Sequence, residues 1–208
     1  MVSSTDQTGK VINMSEDNSK DTKPTREQAE TAVRTLLEYI GEDPTREGLV
    51  ETPKRVVKAY DEFFDGYTQD PAEVLQKTFG DIEGFDDILL VKNIEFTSHC
   101  EHHIVPINGI AHVAYWPNEE VVGISKLARI VDIFAKRLVS QENMTNAIAN
   151  CIEDTLKPKG IGVYIEADHE CMSSRGVKKR TSSTVTSTFR GILKDDASER
   201  ARFFEMIK

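Results

Sequence analysis

The chain has 208 residues, of which 38% are hydrophobic and 29% charged, values that suit one globular domain with an N-terminal extension. A net charge of −9 argues against a surface that coats nucleic acid, and no apolar run approaches a membrane span or the core of a signal peptide. No nucleic acid or membrane is therefore expected as a partner, and the cytoplasm is the default compartment. Three cysteines, an odd number in a reducing compartment, point to metal or catalytic use rather than to a disulfide framework.

Residues 1–24 are polar and without periodicity, and are expected to form a flexible tail ahead of a domain over residues 25–208. Residues 25–80 of that domain read as helical. Thr25 and Gln28 make a capping box, and Ala29, Ala32, Val33, Leu36, Leu37 and Ile40 follow at helical spacing until Gly41. A second helix has Thr52 as its cap and Pro53 at its first position, with Val56, Val57, Tyr60, Phe63 and Phe64 on one face and Arg55 and Lys58 on the other. Asp70–Pro71 starts a short third helix.

The texture changes in residues 85–208. Segments 87–97 and 110–116 are aliphatic, β-branched and aromatic, and read as strands. Two helices follow. Ser125 is expected to cap one that carries Leu127, Ile130, Val131, Phe134 and Leu138; the next carries Met144, Ala147, Ile148, Cys151, Ile152 and Leu156. Strands are expected again over 161–167 and 184–190, and a last helix from Ser198 to Met206. The order predicts an α+β fold, an antiparallel sheet covered by helices on one face.

Four of the five histidines and two of the three cysteines sit in two short segments, Ser98-His99-Cys100-Glu101-His102-His103 and Asp168-His169-Glu170-Cys171. Each follows a predicted strand. Thiolate and imidazole are zinc donors, and three protein ligands leave a fourth position open, as in catalytic rather than structural sites. Spacing alone does not choose three from Cys100, His102, His103, His169 and Cys171. Cys151 lies on the apolar stripe of its helix and reads as a packed core residue. No GxxxxGK[ST] loop is present, so an anionic substrate would need a basic cage. Ser125 and Lys126 open a helix, Arg129 shares a face with Lys126, and Arg175 follows the second segment.

Cys100-Glu101-His102-His103 within NIEFTSHCEHHIVP, then Gly123-Ile124-Ser125-Lys126-Leu127-Ala128-Arg129, Gln141-Glu142, His169-x-Cys171 and Ser174-Arg175-Gly176 stand in the order found in type I GTP cyclohydrolases. The chain resembles that family over residues 25–208. The resemblance implies the tunnelling fold, a four-stranded antiparallel sheet with two helices between its second and third strands, over 85–208. It implies zinc held by Cys100, His103 and Cys171, with His102 and His169 in acid–base roles. Ser125, Lys126, Arg129 and Arg175 would bind substrate, Arg55 and Lys58 the phosphates at a neighbouring subunit, and Gln141 and Glu142 the base. The implied reaction opens the guanine ring of GTP at carbon 8, releases formate and yields 7,8-dihydroneopterin triphosphate, the first step towards folate or tetrahydrobiopterin. A homodecamer with sites at subunit boundaries is expected. Val139, Ser140 and Asn143 depart from the residues usual in the family and leave the pocket edge open.

Overall fold

A computed structural model describes residues 23–76, 78–79, 85–118 and 120–208. The tail expected over 1–24 lies almost wholly outside the described residues. The chain divides into two compact units, Met1–Val57 and Lys58–Lys208.

In the first unit, α1 (Arg26–Tyr39) starts at the predicted capping box. Thr25 N donates to Gln28 Oε1 at 2.8 Å and Gln28 N to Thr25 Oγ1 at 3.2 Å. Gly41 follows the helix with φ +89°, a conformation that glycine adopts without a Cβ clash. α1 buries none of its residues, and Leu36, Tyr39 and Ile40 of its apolar stripe are exposed. α2 (Thr52–Phe63) begins one residue earlier than expected, because Thr52 N already donates to Leu49 O, so Thr52 is itself helical rather than a cap.

The second unit begins within α2, at Lys58, and runs through a 3₁₀ turn (Asp65–Thr68) to α3 (Pro71–Leu75), β1 (Thr78–Phe79), β2 (Leu89–Cys100), β3 (Pro106–Trp116) and β4 (Val121–Val122). It continues with α4 (Ile124–Ala135), β5 (Leu138–Val139), α5 (Gln141–Leu156), β6 (Gly160–His169), α6 (Glu170–Ser173), β7 (Thr184–Gly191), α7 (Ile192–Asp195) and α8 (Ala197–Ile207). The sheet order is β5-β2-β3-β6-β7, and the four long strands are antiparallel. Helices α4 and α5 lie between the second and third long strands, the α+β arrangement expected. The two-residue β5 corrects the expected end of the first of these helices: α4 stops at Ala135, and Leu138, expected on its stripe, pairs instead with His99 as β5 adds to β2 in parallel.

Two further expectations need correction. Gly123, not Ser125, is the residue before α4, and Ser125 is the second helical residue with no capping bond. Helices also cover both faces of the sheet. Successive strand residues point to opposite faces. Ala111, Val113 and Tyr115 of β3 and Val163 and Ile165 of β6 pack with Leu127, Ile130 and Val131 of α4 and Ile148 and Ile152 of α5. The alternate residues Ala114, Trp116, Tyr164 and Phe189 join Leu193 and Phe203 in a second, smaller cluster under α8. Phe189 was legible as a strand residue, but its alternation did not tell which helix would cover it.

Candidate metal centre and active site

Strand register decides where the two motif segments meet. His99, near the end of β2, pairs with Pro106 at the start of β3, and Ile107 of β3 pairs with His169 at the end of β6. Both segments therefore stand at the same end of the sheet. The loop between β2 and β3 is tight: Cys100 N donates to Val105 O at 3.0 Å and Ile104 N to Cys100 O at 2.9 Å, with Ile104 at φ +54°. This brings His103 back to Cys100, with Sγ and Nδ1 separated by 3.9 Å. Cys171 is presented by the single turn α6 directly after β6.

One donor atom from each of Cys100, His103 and Cys171 lies within 4.8 Å of the other two. A tetrahedral zinc shell with ordinary Zn–S and Zn–N bonds places sulfur and nitrogen about 3.6 Å apart, and the Cys100–His103 pair at 3.9 Å stands close to that spacing. The electrostatics agree. Burial raises the Cys171 thiol above its ordinary value, and the neighbouring Cys100 raises it further, a cost that a divalent cation between the two sulfurs relieves. The group fits a metal. His102 and His169 stand outside it.

A family model described as GTP cyclohydrolase I matches residues 29–208. The chain belongs to the GTP cyclohydrolase I family. The GTP cyclohydrolase 1 of Maricaulis maris is 52% identical over 187 residues, covering 90% of this chain and 91% of that one. The Brucella suis protein of the same name is 57% identical over 186 residues, 89% of this chain and 87% of its own. Among solved structures, an apo archaeosine synthase QueF-like protein is 14% identical with a TM-score of 0.42, over 50% of this chain and 93% of that one. That distance gives it no bearing on fold or site.

Around the metal group, the residues expected of a GTP cyclohydrolase I fall into two sets. His102 is exposed on the loop, and its Nε2 is 3.7 Å from Glu101 Oε1, too long for a hydrogen bond, so Glu101 does not lock the ring. Arg175 donates from Nη1 to His103 Nε2 at 2.9 Å. β5 pairs Leu138 with His99 and Val139 with Cys100, which delivers the start of α5 to the same end. Ser140 accepts from Asn143 N at 3.2 Å as the cap of α5. The departures at Val139, Ser140 and Asn143 are thus a strand pairing and a helix cap. Burial lowers the His169 imidazole below its ordinary value, opposed by the carboxylates of Glu142 and Asp168, which places Glu142 within electrostatic reach of that ring. Gln141 is buried, and its Oε1 lies 2.7 Å from His169 Nε2.

Ser125, Lys126 and Arg129 belong elsewhere. Leu89, the first residue of β2, pairs with Tyr115 near the end of β3, and Val122 N donates to Tyr115 Oη at 2.9 Å. α4 starts from that far end and runs back, so that β5 can reach Cys100. Its twelve residues span about 18 Å. The start of α4 therefore stands towards the end of the sheet away from the metal group. Lys126 borders a surface depression with Gln69, Asp70 and Glu73, and Arg129 a neighbouring one with Asp65 and Asp132. Arg55 and Lys58 are exposed on α2.

His99 of the first motif segment and Cys151 are structural. His99 is buried against the rings of Phe63 and Phe64, with centroids 4.8 and 5.3 Å away, and serves packing rather than ligation. Cys151 is half-buried against the core, as expected, and its thiol is raised by burial.

Proposed function

We propose that this chain is a zinc-dependent GTP cyclohydrolase that opens the guanine ring of GTP at carbon 8, releases formate and rearranges the remainder to 7,8-dihydroneopterin triphosphate, the first step of pterin biosynthesis. The observation that carries the reading is the meeting of Cys100, His103 and Cys171, with His169 at the same end of the sheet, in a chain of this family.

Cys100, His103 and Cys171 would hold the ion. Bound there, zinc supplies a Lewis acid that brings the pKa of water to about 7 beside the base. His102 gives a proton to nitrogen 7 as oxygen adds to carbon 8, a task suited to an imidazole near neutral pH. His169 moves protons in the later steps, formamide hydrolysis and sugar rearrangement. Glu142 accepts from the ring N–H and the exocyclic amine of guanine. Arg175 now donates to His103 Nε2. With His103 committed to the ion, the Arg175 guanidinium would be free to bind the substrate phosphates.

Ser125, Lys126 and Arg129 reach the triphosphate from a neighbouring chain, as do Arg55 and Lys58, which makes the active unit an oligomer, the decamer of the resemblance. The placement of the α4 start away from the metal group, on a helix about 18 Å long, and the exposed Leu36 and Ile40 at the end of α1 support this reading. Residues 25–208 form the catalytic part. No described helix is long and apolar enough to cross a membrane, and we place the enzyme in the cytoplasm.

Purified protein incubated with GTP should release formate and develop a pterin absorbance, with about one zinc per chain. Cys171→Ser should lose metal and turnover together. Full turnover by a metal-free preparation would overturn the proposal.

A further inference from the structure

The buried amide of Gln141 has its orientation dictated by its surroundings. Its Nε2 faces Ile165 O at 3.2 Å, Thr184 O at 3.0 Å and Thr186 Oγ1 at 3.1 Å. Two of these are main-chain carbonyls, which only accept, so this end of the amide is the NH₂ group. The hydroxyls agree. Thr145 Oγ1 donates its one proton to Gln141 O at 2.7 Å. In the 2.7 Å contact between the Thr145 and Thr186 hydroxyls, Thr186 is therefore the donor, which leaves Thr186 Oγ1 to accept from the amide. A reversed amide would set its oxygen against two carbonyl oxygens in a buried site.

Gln141 Oε1 then faces His169 Nε2, at 2.7 Å. An amide oxygen cannot donate, so Nε2 carries the hydrogen. A neutral imidazole has only one N–H, and its lone pair is left on Nδ1. We propose that Gln141 is a positioning residue that holds His169 in the Nε2–H tautomer, so that Nδ1 is the nitrogen offered to the substrate. The catalytic part rests on the acid–base reading of His169. It also narrows the base-reading role expected of Gln141: its NH₂ is held by three protein acceptors, so the side chain keeps only the second lone pair of Oε1 for a guanine N–H.

The test uses the zinc-loaded oligomer with ¹⁵N-labelled histidine. Two-bond ¹⁵N–¹H correlations at mildly alkaline pH read the tautomer, and the spectrum of His169→Ala assigns the signal. Wild type should show His169 as Nε2–H. Gln141→Leu should lose that preference, with zinc content unchanged, kcat down about 10- to 100-fold and KM for GTP within about 2-fold. Thr186→Val removes one acceptor but leaves both carbonyls, and should keep the tautomer and kcat within about 3-fold. An Nδ1–H signal in wild type would overturn the assignment even if Gln141→Leu fails to fold. A raised KM with unchanged kcat in Gln141→Leu would restore the base-reading role. Full turnover by His169→Ala would remove the catalytic half while leaving the tautomer to be read from the spectrum.

Discussion

The start of α4 and the metal group stand towards opposite ends of that helix, which is about 18 Å long, and the shared site proposed above joins the helix of one chain to the metal group of its neighbour. Two variants separate the ends: Cys171→Ser, which loses the metal group, and the double change Lys126→Ala with Arg129→Ala, which removes the two α4 cations proposed to hold the phosphates. Each should be nearly inactive alone. Mixed, dissociated and reassembled in equal amounts, they should recover activity. A working site needs an intact metal end, which half the chains supply, next to an intact helix start, which the other half supply. Random assembly therefore gives about a quarter of the wild-type rate per site. Pterin fluorescence follows the recovery, and size-exclusion chromatography confirms that the chains have mixed. Mixed oligomers with no more activity than the parents would show that each chain builds its own site, and the shared arrangement would fall.

His102→Ala should retain its zinc yet turn over about 10²- to 10⁴-fold more slowly; loss of metal instead would show that ligand and acid have been exchanged. Glu142→Ala should lower kcat/KM for GTP by about 100-fold or more at unchanged metal content, and by less for ITP, which lacks the exocyclic amine; equal losses would mean that Glu142 does not read that amine. His112 is buried on the α8 side of the sheet, and burial holds its imidazole below the ordinary 6.5, with Lys92 adding to the shift and Glu166 opposing it. The folded state thus resists a proton that the unfolded chain accepts. Stability is unaffected above about pH 7 and falls as pH drops below 6.5, by at most about 1.4 kcal/mol per pH unit from this residue. The difference between wild-type and His112→Phe unfolding free energies should show that slope, and a difference independent of pH would refute the assignment.

What the sequence determined by itself was whatever depends on neighbours a few residues apart. The Thr25–Gln28 capping box, the aliphatic, β-branched and aromatic runs that mark β2, β3, β6 and β7, the helical stripes of α4 and α5, and the Cys100–His103 pair on one turn are all short-range patterns. The ligand set was legible only through the resemblance, since spacing left His102 and His169 as equal candidates. Tertiary structure decided what depends on register and direction. The pairing of His99 with Pro106 and of Ile107 with His169 brings Cys171 to Cys100, and no local rule specifies that pairing. The direction of α4 places Ser125 and Lys126 at the end of the sheet away from the metal group, although in sequence they lie close to the first motif. Gln141 looked like an ordinary helix-start residue. Its part in orienting His169 comes from carbonyls of β6 and β7, Ile165 and Thr184, that meet it only once the sheet has formed. A buried amide must satisfy every donor it carries, so the partners that the fold supplies, rather than the residue type, settle what Gln141 does.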